Sequence, residues 1–367
     1  MEDRFLLIAL KQIPQIGDVQ ARKILSLVSL KDLFFKSENW VKKSSGLSPR
    51  LAKRIVDSRS EALHILENEI KQLEKYHIGY LTILDEDYPY RLKNCEDAPI
   101  FFFYRGNLEA LKIAYQLAVV GTRKISTYGK KATEELISSL SLLPVCIISG
   151  LATGVDTVAH EEALKNSLKT IAVLGHGFAY TYPSTNKLLA EQIVENGLLI
   201  TEYLFHEAPD KGNFPQRNRI IAGLADAVVV VESGRKGGAL ITAELAFNYN
   251  RNVFAFPGRV FDEKSQGCNW LIKNQRAQLI ESAEDLVEAM QWNGKAKVLP
   301  KQTPLPITQL SPEAQQVLDF IMHHQPCMLD DLYKNLHLPP PKLAAILLDL
   351  EFEGCIKSLP GKQYVIS

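Results

Sequence analysis

Between residues 115 and 290 the chain repeats one pattern, a short apolar run rich in β-branched residues followed by a longer amphipathic segment. The runs are Leu117–Val120, Val145–Ser149, Thr170–Leu174, Leu198–Thr201, Ala227–Val231, Asn252–Phe256 and Gln278–Ile280. The Ala227–Val231 run is apolar throughout, as expected of a parallel strand buried on both faces. Alternation of this length predicts an α/β fold with a doubly wound parallel sheet and helices on both faces. Right-handed crossovers then bring the carboxyl ends of the strands to one edge. Small residues stand at nearly every such end: Gly121-Thr122-Arg123, Ser149-Gly150, Gly175-His176-Gly177, Ser233-Gly234 followed by Gly237-Gly238, and Pro257-Gly258-Arg259. Backbone can approach a ligand closely at such positions, so this edge is expected to form a binding crevice.

The stretch Phe214 to Ala246 concentrates the chemistry of that crevice. Gly237 and Gly238 open a helical segment, whose first N–H groups suit an anion. Arg123 stands two residues after Gly121 and is expected to meet a phosphate. The order Lys211-x-x-Phe214-x-x-Arg217-Asn218-Arg219 sets an aromatic and three cations on what reads as one short loop. That is the composition of a single-strand platform, on which bases stack while charges follow the backbone. Neither a phosphate-loop motif of ATPases nor the dinucleotide fingerprint G-x-G-x-x-G is present. In SGLATGVDTVAH (Ser149 to His160), Thr153 is expected to cap a helix with Asp156 in its first turn. Asp156 and His160, one turn apart, read as a structural pair that holds the loop rather than as a catalytic dyad.

At 367 residues the chain predicts two or three domains. Net charge is zero, so nucleic-acid binding must come from a local patch. The five cysteines form no C-x-x-C pair, and no apolar run approaches the ~20 residues of a membrane helix. A reduced, cytoplasmic setting without membrane attachment is expected. Residues 1–78 read as a helical domain in which Ile13 to Leu25 resembles a helix-hairpin-helix element, with Gln15 where a hairpin glycine is usual. Its 14 Lys/Arg against 10 Asp/Glu describe a slightly basic solvated face. Residues 79–292 form the sheet domain, and the proline-bearing 293–310 reads as a linker. Residues 311–367 fit a winged helix, yet carry four lysines against seven acids. Duplex recognition needs cations for the phosphates, so this domain is expected to contact protein.

Five ordered motifs, GTRKISTYG, SGLATGVDTVAH, VLGHGFAYTYPSTN, FPQRNRIIAGLADAVVVVES and GRKGGALITAELA, resemble the DNA-processing protein A (DprA/Smf) family of bacteria. The resemblance implies an extended Rossmann-like domain, a helix-hairpin-helix or SAM-like N-terminal domain and a C-terminal winged helix. It implies a homodimer that binds single-stranded DNA and loads RecA onto it during natural transformation, with no catalytic residue, cofactor or metal. By that resemblance Arg123 belongs to the glycine-rich turn with Gly121 and Thr122, and Lys211 and Phe214 are the cation and stacking aromatic. Arg217, Asn218, Arg219, Ser149, Gly150, Lys187, Gly237 and Gly238 line the pocket. His176 occupies a rim position that commonly holds a small residue. A second class stays open: Gly237, Gly238 and Glu244 keep the spacing of nucleoside-monophosphate phosphoribohydrolases, though Leu240 and Ile241 replace that signature's glycine and threonine. A protein-binding module with a vestigial crevice is the third.

Overall fold

Serine caps start much of the amino-terminal region. In the computed structural model, which describes residues 3–292, 311–336, 338–352, 355–359 and 363–366, it forms five helices. They are α1 (Asp3–Gln12), α2 (Asp18–Leu25), α3 (Leu30–Phe35), α4 (Glu38–Ser44) and α5 (Pro49–Lys75). Ser29, Ser37 and Ser48 each accept an amide of the following first turn, satisfying a donor that has no intrahelical partner. Gln15, between α1 and α2, takes a left-handed φ of 63° at the position where a hairpin glycine is usual. The 27-residue α5 buries Ala52, Ile55, Ala62, Leu66 and Leu73, a helical stripe that packs on α1.

The sheet strands are β1 (Gly79–Thr82), β2 (Phe101–Gly106), β3 (Tyr115–Val120), β4 (Val145–Ser149), β5 (Lys169–Val173), β6 (Leu198–Thr201), β7 (Ala227–Val230), β8 (Asn252–Ala255) and β9 (Gln278–Leu279). Their order is β1-β2-β6-β5-β4-β3-β7-β8-β9. From β6 through β9 every neighbouring pair is parallel, while β2 joins β6 and β1 joins β2 antiparallel. The chain therefore winds outward from β3 in both directions, and the carboxyl ends of β3 and β7 flank the switch point of a Rossmann-like sheet.

The helices between and after these strands are α6 (Tyr90–Lys93), α7 (Thr127–Ser139), α8 (Val155–Lys165), α9 (Lys187–Asn196), α10 (Asn213–Leu224), α11 (Gly238–Asn248), α12 (Gln266–Lys273) and α13 (Ala283–Met290). Alternate residues of each central strand feed different cores. Leu117, Val119, Ile147 and Val229 pack with Leu136, Ala159 and Leu286 of α7, α8 and α13. Ala118, Val120, Ile148 and Val230 pack into the other core, which takes in Ile220 and Ala243 of α10 and α11 and runs on into α1–α5. Residues Met1–Val298 form one compact unit.

The second unit, Leu299–Ser367, holds α14 (Pro312–His323), β10 (Cys327–Met328), α15 (Leu329–Leu336), α16 (Pro340–Phe352), β11 (Ile356–Leu359) and β12 (Gln363–Ile366). Its small sheet has the order β10-β12-β11, closed over Val317, Ile321, Leu332, Leu343 and Leu350. This is the expected winged helix. The linker expected over 293–310 lies outside the described residues. No helix among the described residues is long and apolar enough to cross a membrane.

Candidate functional site

Three turns meet backbone to backbone at the switch point. Thr122 N donates to Glu232 O at 2.8 Å, and Val155 N donates to Thr122 O at 3.2 Å. Gly154, at φ 85°, lets α8 start against the Thr122–Arg123 backbone, where any Cβ would collide. Gly154 is the N-cap of α8, and the expected cap, Thr153, is exposed and caps nothing. The buried Glu232 carboxylate accepts Ser126 N at 2.9 Å and the Ser126 hydroxyl. Ser126 in turn caps α7. The Gly121-Thr122-Arg123 turn is thus held at both ends, and Arg123 projects from it exposed.

The stretch expected as a loop is helix, and this changes the fate of its cations. With Gly212 as N-cap, Asn213, Phe214 and Pro215 form the first turn of α10. Phe214 and Arg217 then share a face, whereas Arg219, five residues on, lies roughly 140° around from Phe214. Arg217 is buried beneath the crevice, its guanidinium donating to Val173 O in space that a side chain at Gly150 would occupy. Burial pushes Arg217 down to about 10, against the opposing charge of Asp156. Asn218 is half-buried. Arg219 turns toward α1 and α2, donating to Asp97 O at 2.7 Å and pairing with Glu202 at 2.6 Å and Asp18 at 3.1 Å. Lys11 completes the group, 2.6 Å from Glu202 and 2.8 Å from Asp18. Burial works against the charges of Arg219 and Lys11, but the two carboxylates outweigh it and hold both above their ordinary values. Arg217 and Arg219, expected beside the aromatic, are therefore a floor strut and an internal ion pair.

What gathers over the crevice is Phe214, Arg123 and Tyr182. The Arg123 guanidinium lies 5.4 Å from the Phe214 ring centroid, and the Tyr182 ring stands 5.4 Å away at a 36° tilt. Gly175 lies against Phe214, whose Cδ1 would sit 2.9 Å from any Cβ there. Tyr182 is 45% exposed, and its motif gave no register relative to Phe214. Lys211 is exposed just before α10, and neither it nor Arg123 forms an ion pair among the described residues. Lys187 is exposed at the start of α9. Gly237 and Gly238 are the N-cap and first residue of α11, as the sequence predicts. Ser149, expected on the crevice wall, is fully buried, and its hydroxyl donates to Val119 O at 2.7 Å as a tie between strands.

Asp156 and His160 do not meet as a dyad. The Asp156 carboxylate accepts Gly150 N at 3.1 Å and Ala152 N at 3.3 Å, while burial raises its affinity for a proton. His160 Nδ1 lies 2.7 Å from Thr170 Oγ1, and burial pushes the ring down to about 3, so it stays neutral. Both are loop and sheet anchors. His176 is also buried, its carbonyl accepting the Thr201 hydroxyl at 2.8 Å. Glu244 is exposed on α11 and lines a cleft of about 630 Å³ together with Leu240, Phe247 and Trp270 and the cations Arg235, Lys236 and Arg276. Among the described residues it makes no hydrogen bond or ion pair that would orient it for catalysis.

Residues 79–291 match the DNA recombination-mediator protein A family, and residues 301–362 match the DprA winged helix domain. The chain belongs to this family. The Smf protein of Escherichia coli K12 is 34% identical over 358 residues, covering 92% of this chain and 93% of that protein. The solved structure of DprA from Streptococcus pneumoniae superposes with a TM-score of 0.66 at 36% identity, over 78% of this chain and 97% of that one. DprA from Helicobacter pylori, whose structure concerns its single-stranded DNA binding mode, superposes at 0.53 and 29% identity, over 58% of this chain and 95% of that one. The DprA core match begins at β1, so α1–α5 lie outside it, and α1 and α2 are tied to the buried side of α10 through Lys11, Asp18 and the Arg219 ion pairs.

Proposed function

We propose that the crevice at the carboxyl edge of the sheet binds single-stranded DNA. The observation that carries this is the half-buried Phe214 ring with the exposed Arg123 guanidinium 5.4 Å from it and exposed Lys211 one turn before. A base stacks on the ring, and the two cations follow the phosphates on either side. The relationship to H. pylori DprA supports this assignment. Gly121 and Thr122 shape the turn that carries Arg123, while the α11 amino terminus, with Gly237 as its N-cap, offers the Gly238 N–H to a further phosphate. Lys187, exposed at the start of α9, extends the positive rim.

The protein acts by binding rather than by catalysis, in the cytoplasm, as a homodimer that hands single strands to RecA during recombination of incoming DNA. The winged helix, with its excess of acids, contacts protein. The deciding experiment is fluorescence anisotropy of the full chain with a single-stranded oligonucleotide and its duplex. Preference for the single strand is expected, and equal or tighter duplex binding refutes the assignment.

A further inference from the structure

Val260 and Phe261 are 75% and 94% exposed, adjacent to one another on the loop that follows β8. A ring so exposed contributes nothing to the fold, and the loop that carries it is firmly held. Tyr128, in the first turn after the Arg123 loop, donates its hydroxyl to Pro257 O at 2.6 Å. The Asn269 side chain accepts the Gly258 amide through Oδ1 at 3.2 Å and donates through Nδ2 to Gly258 O at 2.9 Å. Ser233, at the end of β7, donates its amide to Lys264 O and accepts that of Gly267, each at 2.7 Å. The loop is therefore fastened to both turns that build the crevice, and β8 runs parallel to β7 and β3, so its tip stands on the same edge.

The chemistry repeats that of the Phe214 site. Arg259 lies two residues before Phe261 and is exposed, as is Lys236 on the neighbouring turn, and neither forms an ion pair among the described residues. Asp262 and Glu263, both exposed, follow Phe261 in the chain before α12.

Accepting the Phe214 crevice as a single-strand site, we propose that Phe261 is a second base-stacking platform, with Arg259 and Lys236 meeting the phosphates that lead to it. Phe214 lies against Gly175 beyond β5, and Phe261 follows β8, four strand steps away. At about 4.8 Å per step the strand ends beneath the two platforms are roughly 19 Å apart, within reach of one bound strand.

The test compares full-length wild type, Phe261→Ala and Phe214→Ala on oligothymidylates of about 20 and about 3 nucleotides, lengths that span both platforms or fill one at about 3.4 Å or more per nucleotide. Phe261→Ala is expected to weaken the long oligonucleotide by about five- to 160-fold, the range of one lost stack, and to leave the short one unchanged. Phe214→Ala weakens both. Replacing Arg259 and Lys236 with alanine flattens the salt dependence of the long oligonucleotide by about 0.7 unit of log K per log salt for each. Wild-type affinity of Phe261→Ala for the long strand overturns the second platform while leaving the crevice intact. A change in its molar mass by light scattering with unaltered binding also overturns it, and marks the tip as a self-association contact. If Phe214→Ala changes neither oligonucleotide, it is the crevice assignment that fails.

Discussion

The Glu69 carboxylate accepts the Phe205 amide at 2.8 Å, a bond made from near the carboxyl end of α5 to the segment that leads into α10. Two turns further along, Tyr76 stacks on the Phe205 ring at 4.6 Å. Phe205 O accepts Ala179 N at 2.9 Å, and Glu207 O accepts Gly177 N at 2.8 Å. The amino-terminal helices thus brace both approaches to the aromatic pair, the one ending in Tyr182 and the one ending in Lys211.

Burial pushes the Glu69 carboxyl up to about 7 from an ordinary 4.5, with the Phe205 amide opposing and Glu207 adding to the rise. Folded Glu69 therefore holds a proton that the unfolded chain releases between these values. Stability falls as pH rises through that window, by roughly 3 kcal/mol at most. Glu69→Gln keeps an acceptor for Phe205 and removes the ionisation. Thermal melts should coincide with wild type near pH 5 and lie several degrees higher near pH 8. Glu207, whose carboxyl burial also raises, is present in both proteins and cancels in the difference. Equal melts at both pH values would show that Glu69 ionises freely in the folded protein.

Arg219 separates an internal ion pair from a DNA contact. Its removal leaves Glu202 and Asp18 buried with only Lys11 between them. Breaking such a group costs about 3–5 kcal/mol. Arg219→Ala should lower the urea midpoint strongly and leave the salt dependence of DNA binding unchanged. A variant that unfolds like wild type but loses both affinity and salt slope would make Arg219 a phosphate contact.

Local pattern made the sheet legible, and long-range pairing hid the rest. The Val145–Ser149 and Leu198–Thr201 strands match their expected bounds, since an apolar run between turn signals admits little else. The first turn of α10 was hidden by Pro215, which suggests a loop. A helix tolerates proline there because first-turn amides have no intrahelical partner. Arg217 and Arg219 read as exposed because burying a charge is costly. What makes burial possible for Arg219 is Asp18, 201 residues away, and no sequence window contains both. Tyr182 was missed for the same reason, since only the fold brings its loop against Phe214.

The winged helix should be dispensable for strand binding. Over 311–367 there are four lysines against seven acids, a net of −3, and the unit Met1–Val298 contains the whole crevice. A chain ending at Val298 should keep its single-strand affinity in anisotropy. A loss beyond about tenfold, or 1.4 kcal/mol, in a folded truncation would place DNA contacts on the winged helix.

Glu244 tests the catalytic alternative. A general base needs a partner that orients it, and Glu244 stands exposed at the rim of a mixed polar and apolar cleft, with no hydrogen bond or ion pair among the described residues. Incubation with nucleoside monophosphates should release no free base above buffer. Release that vanishes in Glu244→Gln would make the protein an enzyme.

The crevice itself is tested by separating charge from stacking. Arg123 and Lys211 are exposed and outside any ion pair among the described residues, so charge reversal there leaves the fold alone. Each contact neutralises about one phosphate, worth about 0.7 unit of log K per log salt on a single strand. Arg123→Glu and Lys211→Glu should weaken binding strongly and flatten that dependence. Phe214→Ala should cost about 1–3 kcal/mol, the range of a lost base–aromatic stack, with the salt slope nearly unchanged. Arg123→Ala also frees one face of the Phe214 ring, so it should lose less affinity than the reversal does. Because Phe214 is half-buried against Gly175, its variant needs a thermal melt beside the binding curve. Three folded variants with wild-type affinity would move the DNA site off the sheet edge and onto the basic amino-terminal helices.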